Sequence, residues 1–283
     1  MENESKVDCI IPNGKLLIIG GAEAKEGEKG DKRDVHSEVL ESFIKSMDVE
    51  NPVIELITSA SSSETDDTFK EYQTAFLKLG AGPVNHIHHA DRDSVSLESF
   101  KERINQAHGI FFAGGDQLKL TSIYGGTDFL YLIKTRYIHD RLVIAGTSAG
   151  AMALSTPMIY EGTGRAEMIA GNVKVTTGLE FLRDVCIDTH FVHRGRFVRM
   201  SQVISTNPSC IGMGIEEDTA VIIENGTEAR VEGSGVVIII DGHLSGGTNI
   251  TESDHVFSIR GLRVDILSSG EKFKIPQMNP PHQ

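Results

Sequence analysis

The sequence lacks features that would assign it to several specialised classes of protein. Tryptophan is absent, and the three cysteines, Cys9, Cys186 and Cys210, are scattered without the CxxC spacing of a metal or redox site. Cysteines this few indicate reduced thiols, which are typical of a cytoplasmic protein. Basic residues are also scarce, with 27 Lys and Arg against 40 Asp and Glu. Because nucleic-acid binding needs a basic surface, the formal net charge of −13 argues against a nucleic-acid partner.

Long apolar runs are missing as well. No window approaches the roughly 18 apolar residues that span a bilayer, and the polar, acidic residues 1–6 do not resemble a signal peptide. We therefore expect a cytoplasmic protein with no membrane partner. No low-complexity linker or internal repeat divides the chain, so we expect a single α/β domain over residues 1–283, with flexible tails at 1–13 and 277–283.

The N-terminal half alternates short apolar runs with amphipathic stretches. The apolar runs are Lys15–Ile19, Val53–Thr58, Ile110–Ala113 and Leu142–Ala145. Each run leads into small residues, and solidly apolar runs of this kind are typical of strands that are covered on both faces. Val35–Met47 and Thr65–Leu79 have helical spacing instead. The alternation predicts an α/β fold, a mostly parallel sheet with helices on both faces.

After about residue 205 the pattern becomes β-rich. Hairpin-type turns such as Asn-Gly and Asp-Gly separate the runs Ile211–Ile215, Ala220–Ile223, Glu228–Val231, Val236–Asp241 and His255–Ile259. These runs predict that the sheet continues into antiparallel strands at one edge.

The sharpest chemical motif follows the run at 142–145. An apolar strand leads into Gly146-Thr147-Ser148-Ala149-Gly150, and a helix-forming run comes next. A Gly-x-Ser-x-Gly turn between strand and helix is the context of a nucleophile elbow, which presents the serine hydroxyl at the head of the helix. The helix N-terminus and the Ala149 N–H group would favour an oxyanion there. The alternative is a tight turn or a phosphate site with Ser148 as the N-cap.

A serine nucleophile needs a base, and His190 is the leading candidate among the 11 histidines. It ends the predicted strand Val185–His190, and histidine is the side chain most often used for proton transfer near neutral pH. The alternative is a histidine that only packs at the rim. His86, His88 and His89 resemble a metal cluster, but no carboxylate lies at ligand spacing. We therefore expect a solvated strand end there and no metal.

Three arginines follow His190 closely. Guanidinium groups bind carboxylates bidentately, so Arg194, Arg196 and Arg199 beside an active site indicate a substrate with carboxylates. A helix that starts here would place Arg196 and Arg199 on one face. The alternative is a solvated basic turn.

Two further strand ends carry residues that could take part in catalysis or substrate binding. Gly114-Gly115-Asp116-Gln117 follows a buried strand, and its glycines let N–H groups approach a ligand closely, as a second oxyanion donor must. Gln117 could then reach substrate amides. Residues 216–218 place three acids at another strand end. One of these acids could orient the base, although spacing alone does not select it.

Taken together, these segments resemble the cyanophycinases, in a serine-peptidase family that also contains aspartyl dipeptidase (peptidase E). The similarity covers roughly residues 14 to 260. It rests on Gly20-Gly21-Ala22-Glu23, Phe112-Ala113-Gly114-Gly115-Asp116-Gln117, Gly146-Thr147-Ser148-Ala149-Gly150-Ala151, Asp188-Thr189-His190-Phe191 with Arg194-Gly195-Arg196, and Gly214-Ile215-Glu216-Glu217-Asp218-Thr219-Ala220.

The resemblance implies a class I glutamine-amidotransferase-like α/β sheet and a homodimer, and no cofactor is expected. It implies Ser148 as nucleophile, His190 as base and Glu217 as the acid that orients the base. The oxyanion donors would be the N–H groups of Gly115 and Ala149. The positions where cyanophycinases bind substrate are Gln117, Asp188, Thr189, Arg194, Arg196 and Arg199.

The implied substrate is cyanophycin, a poly-aspartate chain with Arg attached to each side-chain carboxyl, from which these enzymes release β-Asp-Arg dipeptides. Charge complementarity assigns Asp188 to the guanidinium and the arginines to the α-carboxylate. Thr189 stands where cyanophycinases usually carry Gln, and His193 stands where Gln is frequent. His193 also competes with His190 as the base. The alternatives are an aspartyl or isoaspartyl dipeptidase and a non-catalytic binding protein.

Overall fold

A computed structural model describes residues 11–23, 38–61, 65–162 and 164–276. Residues 1–10 and 277–283 of the predicted tails, and residues 35–37 of the first predicted helix, lie outside the described residues.

The described residues form two main sheets, two short strand pairs and seven α-helices. The strands are β1 (Lys15–Ile19), β2 (Ile54–Ile57), β3 (Val84–Ile87), β4 (Gly109–Phe112), β5 (Val143–Thr147), β6 (Ser155–Thr156), β7 (Met158–Glu161), β8 (Lys174–Thr176), β9 (Leu182–Arg183), β10 (Val185–Thr189), β11 (Ile211–Ile215), β12 (Thr219–Glu224), β13 (Glu228–Gly233), β14 (Val237–Asp241), β15 (Arg263–Leu267) and β16 (Lys272–Lys274). The helices are α1 (Glu38–Ser46), α2 (Thr65–Lys78), α3 (Leu97–Gln106), α4 (Gln117–Tyr124), α5 (Asp128–His139), α6 (Ala149–Ala153) and α7 (Phe197–Thr206), with a 3-10 helix at Gly164–Met168.

The larger sheet has eight strands in the order β16-β13-β12-β1-β5-β4-β2-β3. Strands β1, β5, β4, β2 and β3 run parallel, as predicted, and β12, β13 and β16 add an antiparallel edge. Alternate side chains of β1 enter two different cores: Leu16 and Ile18 one, Leu17 and Ile19 the other. Helices α1 and α2 cover the second core, and α3 to α7 contribute to the first. This two-sided burial explains why the predicted strands are mostly apolar. The buried Glu55 of β2 is an exception, and it is paired with Arg103 at 2.6 Å.

The C-terminal strands do not all join that edge, which corrects the sequence-based expectation. Strands β11, β14 and β15 pair with β10 in a separate sheet of four strands, in the order β10-β11-β14-β15. The chain passes from this sheet to the larger one between β11 and β12. The turn at that crossing, residues 216–218, therefore lies where the two sheets meet.

The prediction of a strand at His255–Ile259 is wrong. Val256 makes only an isolated bridge to Ile169 and is 70% exposed. The strand that completes the second sheet comes later, at Arg263–Leu267, where the backbone is in register with β14. Among the described residues, no helix combines the length and apolarity needed to cross a bilayer.

Candidate active site

Ser148 lies between β5 and α6, in the predicted turn. Its backbone has φ 51° and ψ −119°, values that a non-glycine residue adopts only where its surroundings impose them. Small neighbours make the turn feasible. A Cβ on Gly146 would come within 2.6 Å of the Gly150 backbone, and one on Gly150 within 2.1 Å of Phe112 O. The predicted strand–turn–helix context of Ser148 is therefore confirmed, with glycine required on both sides.

A hydrogen-bonded chain connects three of the predicted residues. Ser148 Oγ lies 3.0 Å from His190 Nε2, and His190 Nδ1 lies 2.6 Å from Glu217 Oε1. They come from three different strand ends: the C-terminal ends of β5 and β10, and the crossing between the two sheets. His190 is 7% exposed and Ser148 and Glu217 are half-buried, so Ser148 remains open to a ligand. This geometry allows Ser148 to pass its proton to His190 while Glu217 holds the imidazole in the tautomer that accepts it.

His193, the competing base, lies next to Glu216 and Glu217. It is exposed, and its N–H and that of Val192 donate to Glu216 Oε2 at 3.0 and 2.6 Å. Its imidazole and the carboxylates of Glu216 and Glu217 each place a ligand-type atom within 4.8 Å of the others, so among the described residues these three form a group that could hold a metal. Because Glu217 already binds His190, and Glu216 binds two backbone N–H groups, the cluster as it stands organises the loop that carries His190.

The other histidine cluster differs from the expected solvated strand end. Thr58 Oγ1 lies 2.7 Å from His86 Nε2 and 3.1 Å from His88 Nδ1, so one hydroxyl joins two imidazoles. His89 is only 3% exposed, and its Nδ1 lies 2.9 Å from the Tyr124 hydroxyl. The expectation was wrong for His89 because its imidazole packs among aromatic rings in the core.

The predicted oxyanion turn lies against Ser148. A Cβ on Gly114 would be 3.4 Å from Ser148 Cβ. Gly115 has φ +141°, and a Cβ there would overlap Ala60 O at 2.4 Å, so only glycine fits. Ala60 O accepts from Asp116 N–H at 2.9 Å rather than from Gly115 N–H. The roles of Gly115 and Ala149 as oxyanion donors stay predictions.

Gln117 begins α4 beside this turn. Its Nε2 donates to Ile159 O at 2.8 Å, which ties the helix to β7. The second N–H and the amide oxygen of Gln117 are left for a ligand, and its substrate role stays a prediction.

The predicted arginine cluster divides into buried and exposed members. Asp188 is fully buried and accepts from Arg196 Nη1 at 2.9 Å and from Arg199 Nε at 2.6 Å. Arg196 is 9% and Arg199 3% exposed, so these two are not part of a solvated basic turn. Helix α7 starts at Phe197, which confirms that a helix begins beside the arginines. Arg194 alone among the three is exposed.

Thr189 lies next to this ion cluster and is also fully buried. Its N–H donates to Asp188 Oδ1 at 2.9 Å, and its carbonyl accepts from Arg196 Nη1 at 2.8 Å. Within the described part of the chain, its hydroxyl has no hydrogen-bond partner. The substrate roles predicted for Thr189, Asp188 and the arginines stay predictions.

Sequence reasoning gave no role to Glu23, which the fold buries next to the site. Its Oε2 accepts a 2.7 Å hydrogen bond from Thr147 Oγ1, one residue before Ser148. The available signal was an acidic residue two positions after the pair of glycines that follows β1.

Comparison with known proteins assigns the chain to a family. The family model "Peptidase family S51" matches residues 16–231. A cyanophycinase of Synechococcus elongatus is 33% identical over 264 residues, which cover 93% of this chain and 79% of that protein. A cyanophycinase of a Nostoc species is 31% identical over 265 residues, covering 93% and 86% of the two chains.

Two solved structures share the fold. A peptidase from an acI-B1 Actinobacterium superposes with a TM-score of 0.64 at 21% identity, covering 94% of this chain and 98% of that one. A putative peptidase E protein of Listeria monocytogenes EGD-e gives a TM-score of 0.54 at 19% identity, covering 78% and 99%. At these identities the likeness concerns the fold alone.

Proposed function

The chain belongs to peptidase family S51 and is a serine-type peptidase, and on that premise we propose that it degrades cyanophycin to β-Asp-Arg dipeptides through an acyl-enzyme. The observation that carries the proposal is the hydrogen-bonded chain from Ser148 through His190 to Glu217. The curated relatives named cyanophycinase, aligned over most of this chain, support the choice of substrate.

The proposed reaction proceeds in two steps. Ser148 Oγ attacks a backbone carbonyl of the polymer while His190 Nε2 takes its proton, and Glu217 stabilises the imidazolium that forms. The N–H groups of Gly115 and Ala149 bind the oxyanion. His190 then returns the proton to the leaving amine as the C–N bond breaks. Water, deprotonated by His190, hydrolyses the ester and frees Ser148.

Burial refines the proposed substrate contacts. Both carboxylate oxygens of Asp188 accept internal hydrogen bonds, so a substrate guanidinium would have to displace Arg196 or Arg199 to reach it. The exposed Arg194 meets no such obstacle and is the better partner for a substrate α-carboxylate. We therefore propose that Arg194 binds the substrate directly. The buried Asp188, Arg196 and Arg199 instead stabilise the loop that carries His190.

The test is incubation of the purified protein with insoluble cyanophycin. We expect clearing of the suspension and release of β-Asp-Arg, identified by mass spectrometry, and we expect Ser148→Ala to abolish both. The matched control is Ser253→Ala, which changes an exposed serine on a loop outside the site. Activity retained by Ser148→Ala would overturn the mechanism.

The same assay separates the alternative functions. Cleavage of small Asp-X or isoaspartyl peptides without clearing of cyanophycin would identify a dipeptidase of the same family. Thr189, which stands where cyanophycinases usually carry Gln, would then be the first residue to examine for the change in substrate. Binding to cyanophycin without any product would identify a binding protein. A homodimer in the cytoplasm stays a prediction, which light scattering and cell fractionation would check.

A further inference from the structure

A buried carboxylate lies beside the proposed nucleophile without belonging to the catalytic chain. Glu23 is 5% exposed, and each of its oxygens accepts a hydrogen bond from a hydroxyl group. Thr147 Oγ1 donates to Oε2 at 2.7 Å, and the Tyr72 hydroxyl donates to Oε1. Burial and the Glu23 carboxylate raise the pKa of Tyr72 well above its usual range, so this phenol stays a donor. Because removing a carboxylate from water is costly, both hydroxyls are needed to hold Glu23 there.

One of the two donors adjoins Ser148. The Ser148 N–H donates to Ile19 O at 3.1 Å, which holds its backbone against the end of β1. The bond from Thr147 to Glu23 adds a side-chain restraint one residue earlier. Since the φ and ψ of Ser148 persist only under outside restraint, these two contacts help to fix the direction of its Oγ.

The segment that carries Glu23 also holds the base. Gly20 O accepts from His190 N–H at 2.9 Å. The imidazole of His190 packs directly against Gly21: a Cβ added to Gly21 would lie only 2.5 Å from the ring. Residues 20–23 therefore contact the backbone and the ring of His190 and, through Glu23, the turn of Ser148. A displacement of this segment changes the relation between nucleophile and base.

We propose that Glu23 is a positioning residue, which sets the Ser148–His190 geometry by fastening the 20–23 segment to Thr147. The inference rests on the proposed function, because it assumes that Ser148 is the nucleophile. The distance that Glu23 would help to set is the 3.0 Å contact between Ser148 Oγ and His190 Nε2. Misplacement of reacting groups by about 1 Å can lower a rate on the order of 100-fold.

The first test changes Thr147, whose side chain does not enter the proposed reaction. Thr147→Val keeps the shape and removes the donor, whereas Thr147→Ser keeps the donor. We expect Thr147→Val to lower kcat about 10- to 100-fold with little change in KM, as expected for misplaced reacting groups. Thr147→Ser is expected to restore most of kcat. A Glu23→Gln variant, which keeps one acceptor, is expected to be more active than Glu23→Leu.

The second readout does not depend on the polymer. A small fluorophosphonate labels an active serine when Ser148 Oγ displaces fluoride from phosphorus and the hydroxyl proton passes to His190. We expect Thr147→Val to slow labelling by the same factor as kcat. Tyr124→Phe is the matched control, because it removes a buried hydroxyl that is hydrogen-bonded to Ser59 instead of Glu23. It is expected to lower the melting temperature but to leave labelling nearly unchanged.

The outcomes separate this inference from the function on which it rests. An active wild type together with unchanged kcat and labelling in Thr147→Val would overturn the positioning role alone. Equal losses in Thr147→Val and Tyr124→Phe, in proportion to melting temperature, would likewise show that the loss follows the stability of the fold and not the position of Glu23. A wild type that neither hydrolyses peptides nor reacts with the probe would overturn the proposed function and the inference with it.

Discussion

Gly21 packs against the imidazole ring of His190: a Cβ on Gly21 would lie 2.5 Å from both Cε1 and Nε2 of the ring. Real Cβ atoms do not approach so closely, so the ring occupies space that only glycine leaves free. Gly21 also has φ +95°, which side chains other than hydrogen rarely tolerate. The backbone after β1 therefore limits His190 on one side, while its hydrogen bond to Glu217 fixes the ring orientation.

The first prediction tests this contact. Gly21→Ala should lower kcat/KM at least about 100-fold, because the added methyl group pushes the imidazole from its contact with Ser148. The control is Gly80→Ala: Gly80 has a similar φ of +94°, but a Cβ there meets nothing within 4 Å. Both variants carry comparable backbone strain, so the difference between their activities reports the contact of the new methyl group with the imidazole. Equal activity in the two variants would contradict a steric role for Gly21.

The second prediction concerns the acid beside the base. In Glu217→Gln the amide can donate to His190 Nδ1, which would put the imidazole proton on Nε2 and prevent that atom from accepting from Ser148. We expect kcat to fall on the order of 10⁴-fold, as in other triads that lose their carboxylate, with little change in binding of substrate. Kinetics on a soluble cyanophycin fragment measure both quantities.

Glu216→Gln provides the comparison for that variant. Glu216 is the adjacent acid, and its Oε2 accepts from two backbone N–H groups, which a Gln amide oxygen can also do. Its activity should stay within a few-fold of the wild type. Similar losses at both positions would mean that the acids act only by supporting the loop.

Much of the fold could be predicted because apolarity along the strands reports their surroundings. In β1, β2, β4 and β5 every side chain but that of Lys15 is buried, so continuous apolar runs predicted buried parallel strands. The division of the C-terminal strands between two sheets could not be predicted. Strands β11 and β12 are both buried and both border hairpin-type turns, and only contacts distant in sequence decide that one pairs with β10 and the other with β1.

The candidate site, like the fold, has features that could be predicted from the sequence and others that could not. Ser148 could be found from its motif, because the glycines two positions before and two positions after it are required by the close packing of the turn. The burial of Arg196 and Arg199 could not, because it depends on Asp188, which packs against them from another element. Charge alone indicated an arginine cluster, but not that two of its members form an internal ion network with Asp188.

The third prediction follows from that division. Arg194→Ala should raise KM for carboxylate-bearing substrates and leave the melting temperature unchanged, since Arg194 is exposed. Arg199→Ala should instead reduce the free energy of unfolding by about 3–5 kcal/mol, because it leaves the buried Asp188 short of a partner. Arg141→Ala, at an exposed arginine just before β5, should change neither quantity. A melting temperature lowered by Arg194→Ala would contradict the assignment.

The fourth prediction is a loss of stability in mild acid, and it follows from His89. Burial lowers the pKa of His89 from its ordinary value of 6.5, with a smaller contribution from neighbouring His88. The ring packs edge-on against Phe100, Tyr124 and Phe129, which leaves little room to hydrate an imidazolium. Below about pH 6.5 the unfolded chain therefore binds more protons at this position than the folded protein. The free energy of unfolding consequently falls as the pH drops through that range and is fully regained above it.

Urea unfolding at pH 7.5 and pH 5.5 measures this effect. We expect the wild type to lose stability between the two conditions, and we expect His89→Gln to lose less, because it has no imidazole to protonate. The matched control is His139→Gln, which replaces an exposed histidine and should keep the full loss. The comparison uses the difference between the two pH values within each variant, so a uniform destabilisation by His89→Gln cancels. An equal loss in both variants would contradict the assignment, because acid sensitivity would then arise outside the aromatic pocket of His89.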